Sequence, residues 1–535
     1  MLPEDTTLRT RPALYSRTTA LWNLAIFATW TAMVMVGELY HEFWRDEVRA
    51  FSLALNVPTL VTIPATIHGE GHPALWYLLL RVSYDIFATP TVLPILSILI
   101  AAAAVIIFLR NAPFPIWFKP IFVLSAIPAY EYSVIARNYG ISMLFMFAYA
   151  VAYTSPRRSA VWSGLILFLL SQTNIIANLI IPFYLFIWLA DCWTARKRSW
   201  APRDPSRGFI IVALGGLAGM ATAFVTVYPT AHDLMLQPLP DATGILRGAG
   251  SAILLPGRFY CGFSVLELSG LCSTEGQFAE AVTSGLLYVV VAGLAIRVPL
   301  MLSALGSLWA TTFFFRFVYP GGYRHQDIWV VFLITLYWFA FASRRDSIER
   351  PPASLKARLF SISFYGVIPI ALVLHTGLRQ IYLEMTGELS KSRAIGNLLQ
   401  TSPDLQNAIV LAEPEQLAEA IPYYADNDIY LLREGKFGKY ATWSSHTSKL
   451  DLTLQDLLNT ARDLKEKTDR PILLLLEYPI RPINPGYIRR EFTAAPLLWR
   501  FSYDRGEADA FLATTREIPL GPPARLETFD AYLLK

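Results

Sequence analysis

The stretch TVLPILSILIAAAAVIIFL, residues 91–109, decides the fold class of this chain. It carries no charge and is close to the roughly 20 apolar residues that a helix needs to cross a hydrocarbon layer roughly 30 Å thick. Similar runs recur between residues 20 and 376, and the 535-residue chain is 54% hydrophobic with a mean hydropathy of +0.40. The sequence therefore predicts an all-α polytopic membrane protein, with the run at 20–36 as its first anchor rather than a cleaved signal peptide.

The apolar runs stop near residue 376, and the remaining chain is mixed in composition. Short apolar runs alternate there with helical stretches at 413–420 and 454–466, which predicts a C-terminal soluble α/β domain over 377–535 after a membrane domain over 1–376. It has no phosphate-binding glycine loop and no nucleophile elbow, so we expect a structural or acceptor-recognising role. The strand-like runs are 408–411, 428–432, 472–477 and 529–534. Four aromatic residues could stack on sugar rings, although core packing is the more common role: Tyr423, Tyr424, Trp443 and Trp499.

The distribution of Lys and Arg orients the chain, because these residues accumulate in short cytoplasmic loops. The alternation is consistent with about eleven spans, with the N-terminus cytoplasmic and the C-terminal domain periplasmic or extracellular. It requires the segment 74–87 to lie in the outer interface; the alternative is that this segment crosses and the charge rule fails once. The predicted inside set is the N-terminus, 110–119, 157–158, 196–207, 297 and 344–358. The predicted outside set is the first outer loop 39–90, the turn at 137, 172–174, the large outer loop 229–280, 319–325 and the chain after about 377.

This arrangement predicts an inner (plasma) membrane protein. The net charge of +4 is small and spread between the hydrophobic runs, so nucleic-acid binding is not expected. Cys192 falls in a basic inside loop, whereas Cys261 and Cys272 share the large outer loop. A disulfide and a pair of free thiols both remain open for those two residues, since spacing does not establish disulfide geometry.

Two polar clusters flank a short amphipathic stretch in the first outer loop. The first is HEFWRDE at 41–47 and the second is HGEGHP at 68–73. Asp46 and Glu47 are candidate site residues, although acidic residues in a first helical turn also cap the helix and complement its dipole. His68, Glu70 and His72 carry groups that bind zinc in other proteins. Because an irregular glycine loop fixes no geometry, hydrogen bonding to a substrate is favoured over a metal site.

Three further polar clusters fall on the same predicted side. They are Arg137-Asn138-Tyr139, Gln172-Thr173-Asn174 and Tyr323-Arg324-His325. Charged side chains at helix ends near a bilayer are costly unless they face a polar cavity or each other, so these clusters predict a cavity that opens outward. Simple snorkelling to the interface is the alternative for Arg137 and Arg324.

These residues resemble the GT-C glycosyltransferases, particularly the branch of protein O-mannosyltransferases and the bacterial aminoarabinose transferase of lipid A. In that group an Asp-Glu pair follows the first span, a His-Pro begins an aromatic, leucine-rich helix, and an Arg-x-Tyr turn comes roughly ninety residues after the acidic pair. Asp46-Glu47, His72-Pro73 and Arg137-Asn138-Tyr139 stand in those places. The likeness covers the first 190 residues well and 280–376 loosely.

The resemblance implies transfer of a sugar from a polyprenyl-phosphate carrier to an envelope glycan, lipid or protein on the outer face. Asp46 would be the catalytic base with Glu47 as its neighbour or substitute, and Arg137 and Arg324 would hold the lipid phosphate. Some relatives carry a second acidic residue in the turn at 137–140, sometimes linked to metal binding. Its absence here favours a reaction without cofactor or metal. The resemblance further implies that five residues shape the sugar pocket: His68, Glu70, His72, Tyr139 and His325.

Two other function classes stay open. A transporter or flippase of lipid-linked glycans would usually place ionisable residues near the middle of spans and often shows inverted repeats, and the sequence shows neither. A non-catalytic envelope scaffold would tolerate the loss of Asp46. The clusters at span ends favour the glycosyltransferase.

Overall fold

The fold is given by a computed structural model, which describes residues 17–68, 70–155, 158–195, 205–228, 241–260, 277–345, 354–444, 446–480, 488–492 and 499–535. Cys261 and Cys272 lie outside these ranges, so their pairing stays open. Cys192 is half-buried and forms no disulfide with any residue that the structure describes.

Helices make up nearly all of the regular structure before residue 402. In chain order they are α1 (Arg17–Tyr40), α2 (Arg45–Leu55), α3 (Ile63–Thr66), α4 (Leu75–Phe87), α5 (Val92–Asn111), α6 (Phe118–Val123), α7 (Tyr139–Thr154), α8 (Ala160–Ser171), α9 (Ile175–Ala195), α10 (Pro205–Val227), α11 (Ala242–Leu254), α12 (Gln277–Gly293), α13 (Val298–Phe317), α14 (Tyr323–Arg345), α15 (Leu355–Ile362), α16 (Ile368–Leu374), α17 (Gly377–Thr386) and α18 (Ser392–Thr401).

Eight helical segments in the described ranges are long and apolar enough to cross a membrane. They are α1, α5, α9, α10, α12 with the turn after it, α13, α14, and α15 continued by α16. The apolar helices α7 and α8 are shorter, with 16 and 12 residues. A multi-pass membrane protein is thus confirmed, while the count of eleven and the orientation stay predictions.

The segment between α5 and α7 is broken rather than a regular helix. After α6 it forms a single π-helical turn over Ile127–Glu131. Pro120 and Pro128 contribute to the break, because proline has no backbone N–H and clashes with the preceding turn. The break leaves polar residues such as Glu131 inside the bundle, where a continuous apolar span would exclude them.

Helix α14 is the centre of the bundle. The apolar window of α14 is 83% buried, against 33% to 50% for the other candidate spans. A helix that is hydrophobic on all sides is normally surrounded by protein, and Trp329 and Trp338 of α14 are fully buried. Its first turn, which carries Arg324 and His325, is held by the elements around it.

The first outer loop folds back on one end of the bundle. The side chain of Arg81 in α4 donates to the carbonyl of Val57 at 2.6 Å, just after α2, and the N–H of Leu75 donates to the carbonyl of Gln172 at 3.3 Å. Helix α4 is not among the candidate spans. These contacts are those expected if 74–87 lies at the outer interface.

The opposite end of the bundle carries an ion-pair cluster from the predicted inside loops. Asp191 in α9 lies 3.0 Å from Arg158 and also pairs with Arg297. Tyr153, near the end of α7, donates to the same carboxylate. Because Tyr139 begins α7 at the other end, the predicted inside and outside groups lie on opposite ends of the bundle.

The C-terminal region contains the strands. Strands β1 (Ile409–Glu413), β5 (Ile472–Leu476), β9 (Asp530–Leu534) and β8 (Thr515–Ile518) form a sheet in that order, in which β1 and β5 are parallel and the other pairs antiparallel. Strands β4 (Asp451–Thr453), β7 (Trp499–Tyr503) and β6 (Ile488–Phe492) form a second sheet, and β2 (Tyr430–Leu431) pairs with β3 (Lys436–Phe437). The helices are α19 (Ile421–Tyr424), α20 (Leu454–Thr468) and α21 (Arg505–Thr514).

The sequence pattern located four of the nine strands in the described residues. The four predicted strand runs correspond to β1, β2, β5 and β9, and α20 matches the helix predicted at 454–466. The stretch predicted to be helical at 413–420 forms a 3-10 helix over Glu415–Ala420. Strands β3, β4, β6, β7 and β8 are short or are interrupted by charged and polar residues, so they lack the apolar run on which the prediction rested.

Candidate active site

The candidate site begins at the N-terminus of α2, where two neighbouring carboxylates have different partners. Glu47 is fully buried and accepts hydrogen bonds from the N–H of Trp44 at 3.3 Å and the N–H of Ala136 at 2.6 Å. Neighbouring helical residues point about 100° apart, because a turn holds about 3.6 residues. Asp46 therefore faces a different direction, and its side chain is 38% exposed. Glu47 has the capping role that the sequence left open.

Asp46 is surrounded by cationic side chains. The Nε atom of Arg45 lies 3.7 Å from its Oδ1 atom, and Arg137 and Arg324 act on it electrostatically. Burial alone raises the pKa of a carboxyl, but these guanidinium groups, Arg137 foremost, outweigh it and hold the pKa of Asp46 below its usual value. Asp46 is therefore an ionised carboxylate at neutral pH.

Arg137 and His72 meet beside Asp46. Arg137 donates to the backbone carbonyl of Asp46 and, through Nη2, to Nε2 of His72 at 2.9 Å. A guanidinium only donates, so Nε2 of His72 is the acceptor and the ring is neutral. Burial, aided by Arg137, lowers the pKa of His72 to about 3. Asn138, next in the chain, donates to the carbonyl of Thr173 at 2.6 Å and so ties in the 172–174 turn.

Tyr139 and His325 form the other wall. The N–H of Gly322 donates to Nδ1 of His325 at 3.2 Å, so Nε2 carries the ring proton and faces the Tyr139 hydroxyl at 2.8 Å. The ring of Tyr319 lies 5.2 Å from that of His325. This arrangement leaves the Tyr139 hydroxyl proton available to donate to a further group.

Arg324 is held between an aromatic ring and a buried acid. Its guanidinium lies 4.9 Å from the ring centroid of Trp44, and its Nε atom is 3.6 Å from a carboxylate oxygen of Glu131. The hydroxyl of Tyr132 donates to its backbone carbonyl at 2.8 Å. Arg324 is thus fixed by protein contacts, which a residue that only snorkels to the interface does not need.

The structure brings six of the nine predicted site residues into one cluster: Asp46, His72, Arg137, Tyr139, Arg324 and His325. Glu47 lies directly behind this cluster. Glu70 does not join it, since it forms a bidentate pair with Arg49 at 2.6 Å and 2.9 Å. His68 is exposed on the loop after α3.

The metal alternative depended on His68, Glu70 and His72 meeting at one point. Their separate environments keep these three side chains from forming one ligand set. Across the described residues, no group of three or more His, Cys, Asp or Glu side chains is arranged to hold a metal ion.

Two residues that the sequence analysis did not single out complete the site. Arg45 is the third guanidinium at Asp46, and it is held at 3.2 Å by Glu527 of the C-terminal region. Arg45 directly precedes Asp46 in the first polar cluster, so its position in the sequence could have identified it as a candidate site residue. Glu527 carried no such signal, because 482 residues separate it from Arg45.

The C-terminal region packs directly on α2. Arg49 in α2 donates to Glu419 at 2.6 Å and lies over the ring of Trp443, which stacks on Trp499 with the centroids 5.1 Å apart. The guanidinium of Arg433 lies over the ring of Trp499, 4.6 Å from its centroid. Trp499 is fully buried, so it packs in the core rather than offering a surface for a sugar. Tyr423 and Tyr424 also contact the first outer loop, both at Phe43.

An ionised carboxylate beside three guanidinium groups can bind an anion and accept a proton at adjacent points. The neutral His72 and the Tyr139 hydroxyl add hydrogen-bonding groups suited to an uncharged polar ligand. No protein-family model matches the sequence, and no curated protein matches it either. The function proposed below is therefore argued from this geometry.

Proposed function

We propose that this protein is a membrane glycosyltransferase that moves a sugar from a polyprenyl-phosphate donor to an envelope glycan, lipid or protein acceptor. The observation that carries the proposal is the Asp46 carboxylate placed among Arg45, Arg137 and Arg324 at one end of a membrane-type bundle. A sugar phosphodiester needs cations at its phosphate, and an attacking hydroxyl needs a base nearby. Both kinds of group are present here.

In the proposed step, an acceptor hydroxyl oxygen forms a bond to the anomeric carbon of the sugar. The bond from that carbon to the phosphate oxygen breaks, and its electron pair stays on the departing polyprenyl phosphate. The hydroxyl proton passes to the Asp46 carboxylate. Arg137 and Arg324, with Arg45, stabilise the phosphate charge, while His72, Tyr139 and His325 line the sugar side. The step uses no cofactor.

We further infer a GT-C-like topology of about eleven crossings in the inner (plasma) membrane, with the site on the outer face. The count follows if α7, α8 and the broken segment 118–135 cross together with the eight long helices. The orientation follows from the Lys and Arg distribution.

Transport of a lipid-linked glycan is less well supported. In the described parts of the eight long segments, Asp, Glu, Lys, Arg and His occur only in the first or last two turns. A transport path usually needs such groups near the middle of the membrane. A site at one end suits a reaction on a substrate that stays in the outer leaflet.

The proposal is tested in a deletion strain by mass spectrometry of the envelope glycans and the polyprenyl-linked sugars. We expect one sugar to disappear from an envelope acceptor and its polyprenyl-phosphate form to accumulate. The wild-type gene should restore the acceptor. Asp46→Asn should lower transfer by at least about 100-fold, as expected for loss of a general base.

Asp85→Asn is the matched control, because Asp85 is 48% exposed and pairs with Arg81 on the surface of α4. It should restore transfer fully. Restoration of transfer by Asp46→Asn at the wild-type rate would show that Asp46 is not the base. A deletion strain with unchanged acceptors and carriers would overturn the enzyme class itself.

A further inference from the structure

A buried histidine lies behind the candidate site. We propose that His41 is a positioning residue: held between Glu47 and Glu384 as an imidazolium, it fixes the turn that carries Arg137 and links that turn to the C-terminal region. The proposal rests on the proposed function, because that function gives Arg137 its role at the lipid phosphate. It concerns a residue that touches no substrate in that mechanism.

The geometry favours protons on both nitrogens of His41. Its Nε2 atom lies 3.0 Å from a carboxylate oxygen of Glu47, and its Nδ1 atom lies 3.4 Å from a carboxylate oxygen of Glu384. All three side chains are fully buried. An ionised carboxylate only accepts hydrogen bonds, so a ring that faces one on each side is best satisfied when both nitrogens donate.

The charged form of His41 is stable despite its burial. Burial by itself lowers the pKa of a histidine, but the carboxylates of Glu47 and Glu384 outweigh this effect and raise the pKa of His41 to about 10. The imidazolium is therefore present at neutral pH. It compensates two buried carboxylates that would otherwise lie close together.

Glu47 connects His41 to the turn that carries Arg137. One oxygen of Glu47 accepts the N–H of Ala136 at 2.6 Å, and Arg137 is the next residue. The N–H of Arg137 donates to the carbonyl of Ile135 at 2.9 Å, which closes the turn. The side chain of Arg137 then reaches Asp46 and His72. A shift of Glu47 would move the turn and with it the guanidinium.

Glu384 carries the same network to the C-terminal region. It lies on α17 and accepts hydrogen bonds from Tyr130 and, at 3.0 Å, from Arg525. Arg393 donates to the carbonyl of His41. The charged and titratable groups around His41 thus come from α1, α2, the 127–131 turn, α17 and the C-terminal region: Glu38, Glu47, Tyr130, Glu131, Glu384, Arg393 and Arg525.

The test uses the full-length protein in nanodiscs, with undecaprenyl phosphate as the probe. Affinity is measured for the wild type, His41→Gln, Glu47→Gln and the double variant, and hydrogen exchange is followed in the peptide covering 133–138. We expect each single change to weaken binding by about tenfold and to speed exchange at 133–138. The double variant should be no weaker than either single one, since residues in one network are not additive.

The pH profile separates positioning from a general loss of structure. The imidazolium is present below the folded pKa and is lost as pH rises through about 10. The higher affinity of the wild type over His41→Gln should therefore hold at neutral pH and decline as pH rises through that value. His446→Gln, an exposed histidine in the C-terminal region, is the matched control and should match the wild type throughout.

The possible outcomes distinguish the two proposals. Wild-type protein that fails to bind undecaprenyl phosphate counts against the proposed function, while exchange at 133–138 still tests the role of His41. Unchanged binding and exchange in His41→Gln overturn the positioning role. If His41→Gln does not fold, Glu384→Gln takes its place, because that carboxylate contacts the ring but not the Arg137 turn. Weaker binding in Glu384→Gln supports the link, and wild-type binding with wild-type exchange overturns it.

Discussion

At the scale of single residues, adjacent positions in the sequence serve different purposes. Asp46 faces the cluster of arginines, whereas Glu47 turns inward to Ala136 and His41. The capping explanation thus applies to Glu47, and the functional role is proposed for Asp46 alone. The helical turn separates them, because neighbouring side chains leave a helix in different directions.

Arg49 is a buried charge on which the stability of the protein should depend. It is buried between Glu70 and Glu419, and it lies over the ring of Trp443. Arg49→Ala should lower the free energy of unfolding by about 3–5 kcal/mol, because the buried Glu419 and the partly buried Glu70 lose their counter-charge. Thermal unfolding of the purified protein in detergent measures the loss. Adding Glu419→Gln to Arg49→Ala should recover part of it.

Arg505 supplies the matched control for Arg49. It pairs with Asp509 one turn along α21, and both side chains are more than half exposed. Arg505→Ala should change the free energy of unfolding by about 1 kcal/mol or less. Equal effects at Arg49 and Arg505 would contradict the burial argument.

At the scale of elements, α8 and α10 pack through glycines. A Cβ atom on Gly215 would lie 2.4 Å from the backbone oxygen of Gly164, and one on Gly219 would lie 2.8 Å from the Cα atom of Phe168. Gly215 and Gly219 are four residues apart on α10, the spacing at which small residues let membrane helices approach closely. The backbone of α8 occupies the space that larger side chains would fill.

Gly215→Ala should therefore destabilise the protein by about 1–3 kcal/mol, because the atom it meets belongs to the backbone and has little room to move. The lower midpoint of thermal unfolding in detergent reports this loss. Gly285→Ala on α12 is the control, since nothing lies within 4 Å of the added atom. That change should be neutral or slightly stabilising, and destabilisation by both would point to a general effect of removing glycine.

At the scale of the whole molecule, the two ends of the bundle have different chemistry. One end contains Asp46 with its neighbouring arginines and the C-terminal region. The other end contains the ion-pair cluster around Asp191. The assignment of these ends to the outer and inner faces rests on the basic loops. The side of the membrane on which the proposed reaction occurs depends on that assignment.

Cysteine labelling tests the orientation. In a variant with Cys192, Cys261 and Cys272 replaced by Ser, we expect Thr89→Cys to react with an impermeant maleimide added outside intact cells. Ser155→Cys should react only after the membrane is opened. Inverted labelling would place the site in the cytoplasm and overturn the outer-face proposal. Protection of both positions would contradict the prediction that they lie in loops.

The sequence predicted more of the fold than of the candidate site. The membrane class and four strands of the C-terminal region were evident, because an apolar run of a given length has few structural outcomes. Of the candidate site residues, those at span ends such as Arg137 and Arg324 were singled out because charge is costly there. Glu70 and His68 are residue types that often occur in functional sites, but their side chains lie apart from the cluster around Asp46.

By itself, the sequence determined that this chain is a multi-pass membrane protein with a strand-containing C-terminal region, and that its polar residues gather at helix ends. Only the tertiary structure decided which of those residues meet. Arg45 with Glu527, Arg49 with Glu419 and His41 with Glu384 join positions hundreds of residues apart. Hydropathy and charge act locally along the chain, whereas partners for buried charges are chosen when distant elements pack together.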